Sequence, residues 1–212
     1  MFLVKEMKKY KAYIFDMDLT LLDTITSAKK SYTAAFKEIG ITFDVNTVTH
    51  HLAIPLTSSY KEFEKEAKGP YSLFLETFKR VANETFAVDS KIYTDALDLI
   101  KHLLTKNVKL GIVTNREIKN VLDILRGTEI ENVFNSIITC DVVTNLKPDP
   151  EPIIKCLEQL NLNSDEVVYI GDAKNDYLAS KNANVDFICI ERYNNCDFSC
   201  ENIIHSLKEI IG

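Results

Sequence analysis

Short apolar runs alternate along this chain with longer stretches in which apolar residues recur every three to four positions. The runs are residues 12–15 (AYIF), 108–113 (VKLGIV), 137–138 within FNSIIT, 167–170 (VVYI) and 187–190 (FICI). Uninterrupted apolar runs of this length predict strands covered on both faces, as in a parallel sheet. Helical spacing predicts helices over residues 93–105, 117–126, 151–160 and 175–181, with a last one over 201–211. Strand and helix taking turns in this way predict an α/β fold with a doubly wound parallel sheet.

One interval breaks the rhythm. Residues 24–88 carry no strand pattern, yet their apolar residues recur at helical spacing (Ala34, Ala35, Ile39; Phe74, Leu75, Phe78, Val81, Ala82). The expected organisation is a core of residues 1–23 and 90–212 interrupted by a helical insertion over 24–89. Linkers are expected near 23–25 and 88–91, and Gly69-Pro70 is read as a turn between helices of the insertion.

Composition narrows the field. With 212 residues, 46% hydrophobic and 26% charged, the chain has the balance of a globular protein with a sizeable core. Its formal charge of -6 and the lack of a basic run argue against a nucleic-acid partner and leave room for a small anionic ligand. Five cysteines without paired spacing read as reduced thiols rather than a zinc site or a disulfide framework. The N-terminal run MFLVKEMKK is too short and too charged for a signal peptide, and the first six residues read as an extension ahead of the first strand. No later stretch is apolar enough to span a membrane, so a cytoplasmic location is expected.

The predicted central strands end in polar residues suited to phosphoryl transfer, at the edge where ligands of open α/β sheets bind. Asp16-Met17-Asp18-Leu19-Thr20 follows AYIF. Residues two apart on an extended segment point the same way, so the Asp16 and Asp18 carboxylates can face one site, where their repulsion calls for a cation such as Mg²⁺. Thr114-Asn115-Arg116 follows KLGIV, with a hydroxyl and backbone N–H groups placed to hold phosphate oxygens. Lys147, in LKPDPEP, can neutralise charge on a transferring group. Asp172 ends VVYIG, and Asp176 lies one helical turn beyond it, a spacing that aims two carboxylates at one metal.

Taken together, FDMDLTLLDT, IVTNR, KPDPEP and GDAKND resemble, in order and spacing, the four motifs of the haloacid dehalogenase superfamily of aspartate-nucleophile hydrolases. The resemblance covers the whole core, with the helical insertion where that family places a small helical cap, and is nearest the phosphoglycolate-phosphatase-like branch. It implies a phosphomonoester hydrolase for a small phosphorylated metabolite. Asp16 is implied as the nucleophile and Asp18 as general acid and base, with Thr20, Thr114, Asn115 and Lys147 binding the phosphoryl group. Mg²⁺ is implied at Asp16, at the Asp18 carbonyl and at Asp172, with Asp176 supporting its water shell or Lys147. A carboxylate at position 18 disfavours the dehalogenase and phosphonate-cleaving branches, which lack one there.

Two other readings stand beside this one. A sugar-phosphate mutase of the same superfamily would return the phosphoryl group to a sugar, and Thr20 leans against it. A regulatory phosphoaspartate domain needs neither a general acid nor a helical insertion. A monomer or a homodimer is expected.

Several residues have plainer readings. Leu19 and Asn184 stand where the family commonly has glycine, so Leu19 is expected to narrow the site or alter the turn. Arg116 is read equally as a surface ion pair or a phosphate contact. Adjacent His50 and His51 are expected to point apart on a helix, and Lys79-Arg80 is read equally as a solvated helix face or a cap contact to substrate. LAIPLTSSY resembles a Pro-Leu turn in phosphoglycolate-phosphatase-like caps, though a plain inter-helix turn explains it as well.

Overall fold

The computed structural model describes residues 8–193 and 198–211. The extension read over the first six residues, and Cys196, lie outside the described residues.

Six strands form one parallel sheet in the order β5-β4-β1-β6-β7-β8. They are β1 (Ala12–Phe15), β4 (Lys109–Val113), β5 (Ser136–Ile138), β6 (Val167–Gly171), β7 (Asp186–Ile190) and β8 (Ile203–Ile204). The central strands are buried on both faces, which is why they read as unbroken apolar runs. α5 (Thr94–Thr105) and α6 (Ile118–Leu125) cover one face, and α7 (Glu151–Leu160) and α8 (Lys174–Asn182) the other, giving two apolar cores divided by the sheet. Phe15 is in register with Ile112 on one side and Ile170 on the other. The next residues of all three strands therefore reach the carboxyl edge together.

Residues 24–89 are largely helical, as expected. They hold α1 (Ile25–Glu38), α2 (Val48–Ala53), α3 (Leu56–Lys61) and α4 (Tyr71–Asp89). These helices build a third apolar cluster of their own, rich in rings: Tyr32, Phe36, Phe43, Tyr60 and Phe74. Gly69-Pro70 is a helix boundary, with Pro70 capping α4 and the Gly69 carbonyl accepting from the Tyr60 hydroxyl at 2.9 Å. The segments read as linkers pair instead as a two-stranded antiparallel ribbon, β2 (Leu22–Asp23) with β3 (Lys91–Ile92). Two residues a side are too few to leave an alternating pattern in sequence.

Residues 201–211 do not form the expected helix. Ile203–Ile204 adds to the sheet as β8, and only one 3₁₀ turn follows, Leu207–Ile210, with Ser206 accepting at its start. The apolar pair has an open strand edge to join, and edge pairing outweighs the propensity of so short a segment.

Leu19 and Asn184 both adopt the left-handed backbone, at φ 55° and 54°. Asparagine tolerates this region, but for leucine it costs about 1–2 kcal/mol. Leu19 thus adopts the conformation that glycine favours, and its side chain is buried.

Candidate active site

Asp16 leaves the end of β1 with its N–H donating to the Ile170 carbonyl at 2.8 Å, so the neighbouring strand fixes its direction. Asp172 follows β6 directly, and Asp176 lies in the first turn of α8. Oxygens of these three buried aspartates fall within 4.8 Å of one another. Gly171 makes this convergence possible, because a Cβ there would meet the Asp176 Cβ at 2.6 Å. Gly171→Ala is expected to displace Asp176, costing about 1–3 kcal/mol by overpacking. Thermal unfolding checks that loss, and a fall in activity should accompany it.

Lys147 comes from the segment before α7, across a cis peptide bond to Pro148. Its ammonium donates to Asp16 Oδ1 at 2.5 Å, Asp176 Oδ1 at 2.6 Å and the Tyr169 hydroxyl at 2.9 Å. The Tyr169 hydroxyl in turn donates to Asp176 Oδ1 at 2.9 Å, and Asp176 Oδ2 accepts the Ala173 N–H. Asn115 holds the Lys147 backbone from below, its Oδ1 accepting the Lys147 N–H at 3.2 Å and its amide reaching the carbonyl at 3.5 Å. Thr114 is buried at the end of β4, its hydroxyl accepting the Arg116 N–H. The Thr20 hydroxyl donates to Asp172 Oδ1 at 3.4 Å.

Asp18 stands slightly apart, with its side chain 25% exposed. Both its oxygens accept from Arg116, at 2.6 Å each. The Arg116 guanidinium stacks on Phe86 of α4 at 3.5 Å from the ring centroid, so the insertion touches the group that holds Asp18. Arg116 thus forms an ion pair within the site rather than on the outer surface.

Burial and charge set the protonation of these groups. Desolvation pushes Asp16 from its ordinary 3.8 up to about 7, against the pull of Lys147 and with repulsion from Asp176 and Asp18 adding to it. Burial likewise raises Asp172 well above its ordinary value, with Asp16 and Asp176 repelling it. Burial disfavours the Lys147 ammonium, but Asp16 and Asp176 outweigh it and raise its pKa. Burial would raise Asp18 too, but the Arg116 guanidinium overrides it and holds the carboxyl below its usual range.

Lys147 pairs directly with two of the three buried carboxylates, Asp16 and Asp176, so the cluster sheds its excess charge by binding protons or a cation. That donor set fits a hard divalent cation. Stability without metal follows from the same imbalance. Folded Asp16 and Asp172 bind protons that the unfolded chain has released, so stability should fall as pH rises from about 4 to about 7. Thermal unfolding in EDTA across that window is expected to show the decline, and excess Mg²⁺ to flatten it.

A second set of ligand-type side chains lies in the insertion: His50, His51 and Glu62. The histidines do not diverge as expected, since their ring centroids are 5.0 Å apart. His51 packs among Tyr32, Phe36 and Phe43, while exposed His50 pairs with Glu62 at 2.8 Å.

With this geometry in view, likeness to known proteins decides the family. A sequence profile described as haloacid dehalogenase-like hydrolase matches residues 13–190. The chain belongs to this family. It is 28% identical over 196 residues to a phosphoglycolate phosphatase of Colwellia psychrerythraea, covering 86% of this chain and 85% of that one. It is also 28% identical over 207 residues to the pyrophosphatase PpaX of Oceanobacillus iheyensis, covering 95% of each. A solved structure from Lactobacillus plantarum, provisionally named a phosphoglycolate phosphatase, superposes with a TM-score of 0.84 at 21% identity over 96% of this chain and 99% of that one. At that identity it establishes the fold alone. This hydrolase is therefore an enzyme whose relatives, matched over most of their length, are phosphatases. Among its described residues no helix is long and apolar enough to cross a membrane.

Sequence reasoning overlooked Tyr169 and left Arg116 undecided. Tyr169 carried a faint signal, a hydroxyl in a strand otherwise wholly apolar, because a buried phenol must find a polar partner.

Proposed function

We propose that this hydrolase is a Mg²⁺-dependent phosphatase that cleaves a small phosphomonoester through an aspartyl phosphate on Asp16. The observation that carries the reading is the Asp16–Lys147–Asp176 chain beside Asp172, closed by Lys147 contacts of 2.5 and 2.6 Å at the carboxyl ends of the central strands. It supports a nucleophile, a fixed positive charge and a cation site at one point.

In this reading Asp16 attacks phosphorus and Lys147 neutralises the charge that builds on the phosphoryl oxygens. The Thr114 hydroxyl and the N–H groups that follow it bind those oxygens, Asn115 keeps Lys147 in place, and Thr20 steadies Asp172. Asp18, ionised beside Arg116 in the free enzyme, takes up a proton as substrate draws the guanidinium away. It then protonates the leaving oxygen and later takes a proton from the water that hydrolyses the intermediate. Asp16, the Asp18 carbonyl and Asp172 hold Mg²⁺, with Asp176 supporting the set through Lys147. The ion supplies charge that offsets the anionic substrate against three carboxylates.

Residues 24–89 act as a cap over a core of 1–23 and 90–212. Their separate ring-rich cluster and the Phe86–Arg116 stack support this division. The cap excludes bulk water and selects the leaving group.

The test is a panel of metabolite phosphates, phosphoglycolate and pyrophosphate among them, assayed for phosphate release with and without Mg²⁺. Mg²⁺-dependent turnover of at least one monoester is expected, and none across the panel would overturn the reading. Asp18→Asn separates the acid role from simple binding. It should slow an alkyl phosphate by about 10²–10⁴, and an aryl phosphate with a good leaving group far less in the first step. Burst kinetics with the aryl substrate checks this.

A further inference from the structure

The loop from Asp16 to Leu22 contains a backbone conformation unfavourable for its residue, since Leu19 sits at φ 55° with a buried side chain. Inside the loop, the Leu19 N–H donates to the Leu22 carbonyl at 2.8 Å, and the N–H groups of Leu21 and Leu22 both donate to Met17. The Leu19 and Thr20 carbonyls point away from these bonds and need partners of their own.

A single side chain from the far end of the chain meets both. Arg192, two residues past β7, donates from Nε to the Leu19 carbonyl at 3.0 Å and from a terminal nitrogen to the Thr20 carbonyl at 2.9 Å. The guanidinium is itself held on two sides. Asp95, in the first turn of α5, accepts from it at 3.1 and 3.0 Å, and the Tyr93 ring lies 3.7 Å beneath it. Asp95 in turn accepts the Ser206 hydroxyl at 3.0 Å and the Leu207 N–H at 2.9 Å. Arg192 and Asp95 are 10% and 13% exposed, so the pair is largely dry. A planar fork serves two carbonyls and a carboxylate at once, which an ammonium cannot do.

We infer that Arg192 is a positioning residue for the reacting loop: by holding the Leu19 and Thr20 carbonyls it keeps a leucine in the turn that glycine would adopt unaided. Asp95, Tyr93 and the Ser206–Leu207 backbone make the seat that holds Arg192. Thr20 is then fixed from both ends, its carbonyl by Arg192 and its hydroxyl by Asp172. The inference rests on the reading of Asp16 to Thr20 as the reacting loop.

The test is Arg192→Ala and Arg192→Lys in the full chain with Mg²⁺ and an aryl phosphate. A loop misplaced by an ångström should lower kcat in Arg192→Ala by about 10–100-fold, with KM moved far less. Millimolar guanidinium should restore part of that rate and leave wild type unchanged, whereas methylammonium should not. A purely structural role would lower Tm without guanidinium rescue, and that result overturns the inference. If Arg192→Ala does not fold, a folded Arg192→Lys with wild-type kcat overturns it equally. Hydrogen exchange at the Leu21 and Leu22 amides needs no substrate. It should quicken about 10-fold or more in either variant, and unchanged exchange sinks the inference whatever the activity. Failure of the functional reading looks different: wild type inactive across the panel, or Asp16→Asn still active.

Discussion

Asp16→Asn is expected to lower kcat by roughly 10⁴ or more, because the amide cannot form the covalent intermediate and no neighbouring group can replace it. The neighbouring carboxylates are already engaged: Asp176 with Lys147, Tyr169 and Ala173, Asp18 with Arg116, and Asp172 with Thr20 and, in the proposed reading, the metal. The fold should survive. Asparagine matches the aspartate in shape, and the substitution removes one of three clustered buried carboxyl groups. Lys147 keeps Asp176 as its counter-charge. A Tm within a few degrees of wild type, or above it in EDTA, would show that the lost activity reflects chemistry. Retained turnover in this variant would sink the nucleophile assignment.

Lys147→Ala should damage both rate and fold. On the rate side, loss of a fixed charge at the phosphoryl oxygens is worth about 10²–10³ in kcat, by comparison with removal of one oxyanion donor. On the stability side, Asp16 and Asp176 would remain buried with no cation between them, and breaking a buried pair from one side costs about 3–5 kcal/mol. The Tyr169 hydroxyl would also lose a donor. The destabilisation should be greatest in EDTA and partly reversed by Mg²⁺, which brings positive charge back to the same carboxylates. Thermal unfolding with and without the ion, beside kcat at saturating substrate, reads both effects. A variant as stable as wild type in EDTA would contradict the charge balance drawn here.

Much of this is legible in the amino-acid sequence. β1, β4, β6 and β7 were visible because a strand buried on both faces cannot hide its composition, and each ended where a polar residue broke the apolar run. The helical insertion was visible through its 3.6-residue spacing. The ribbon β2–β3 and the edge strand β8 were not, because two residues hold no period and their pairing depends on which edge is left open. The same limit explains the helix wrongly expected over 201–211.

The candidate site divides along the same line. Asp16, Asp18, Thr114, Lys147, Asp172 and Asp176 could be named from sequence because their chemistry is tied to strand ends, and strand ends follow from local apolar runs. Which partner each one takes could not be. That Arg116 grips Asp18, that Tyr169 completes the contacts of Lys147, and that Arg192 reaches back 173 positions to Leu19 are matters of long-range packing. The sequence by itself determined the family, the parallel sheet and the set of candidate groups, since these depend on residue type and short-range order. Only the tertiary structure decided how charge is balanced among those groups and how a leucine is kept in a left-handed turn, because both depend on side chains brought together across the whole length of the chain.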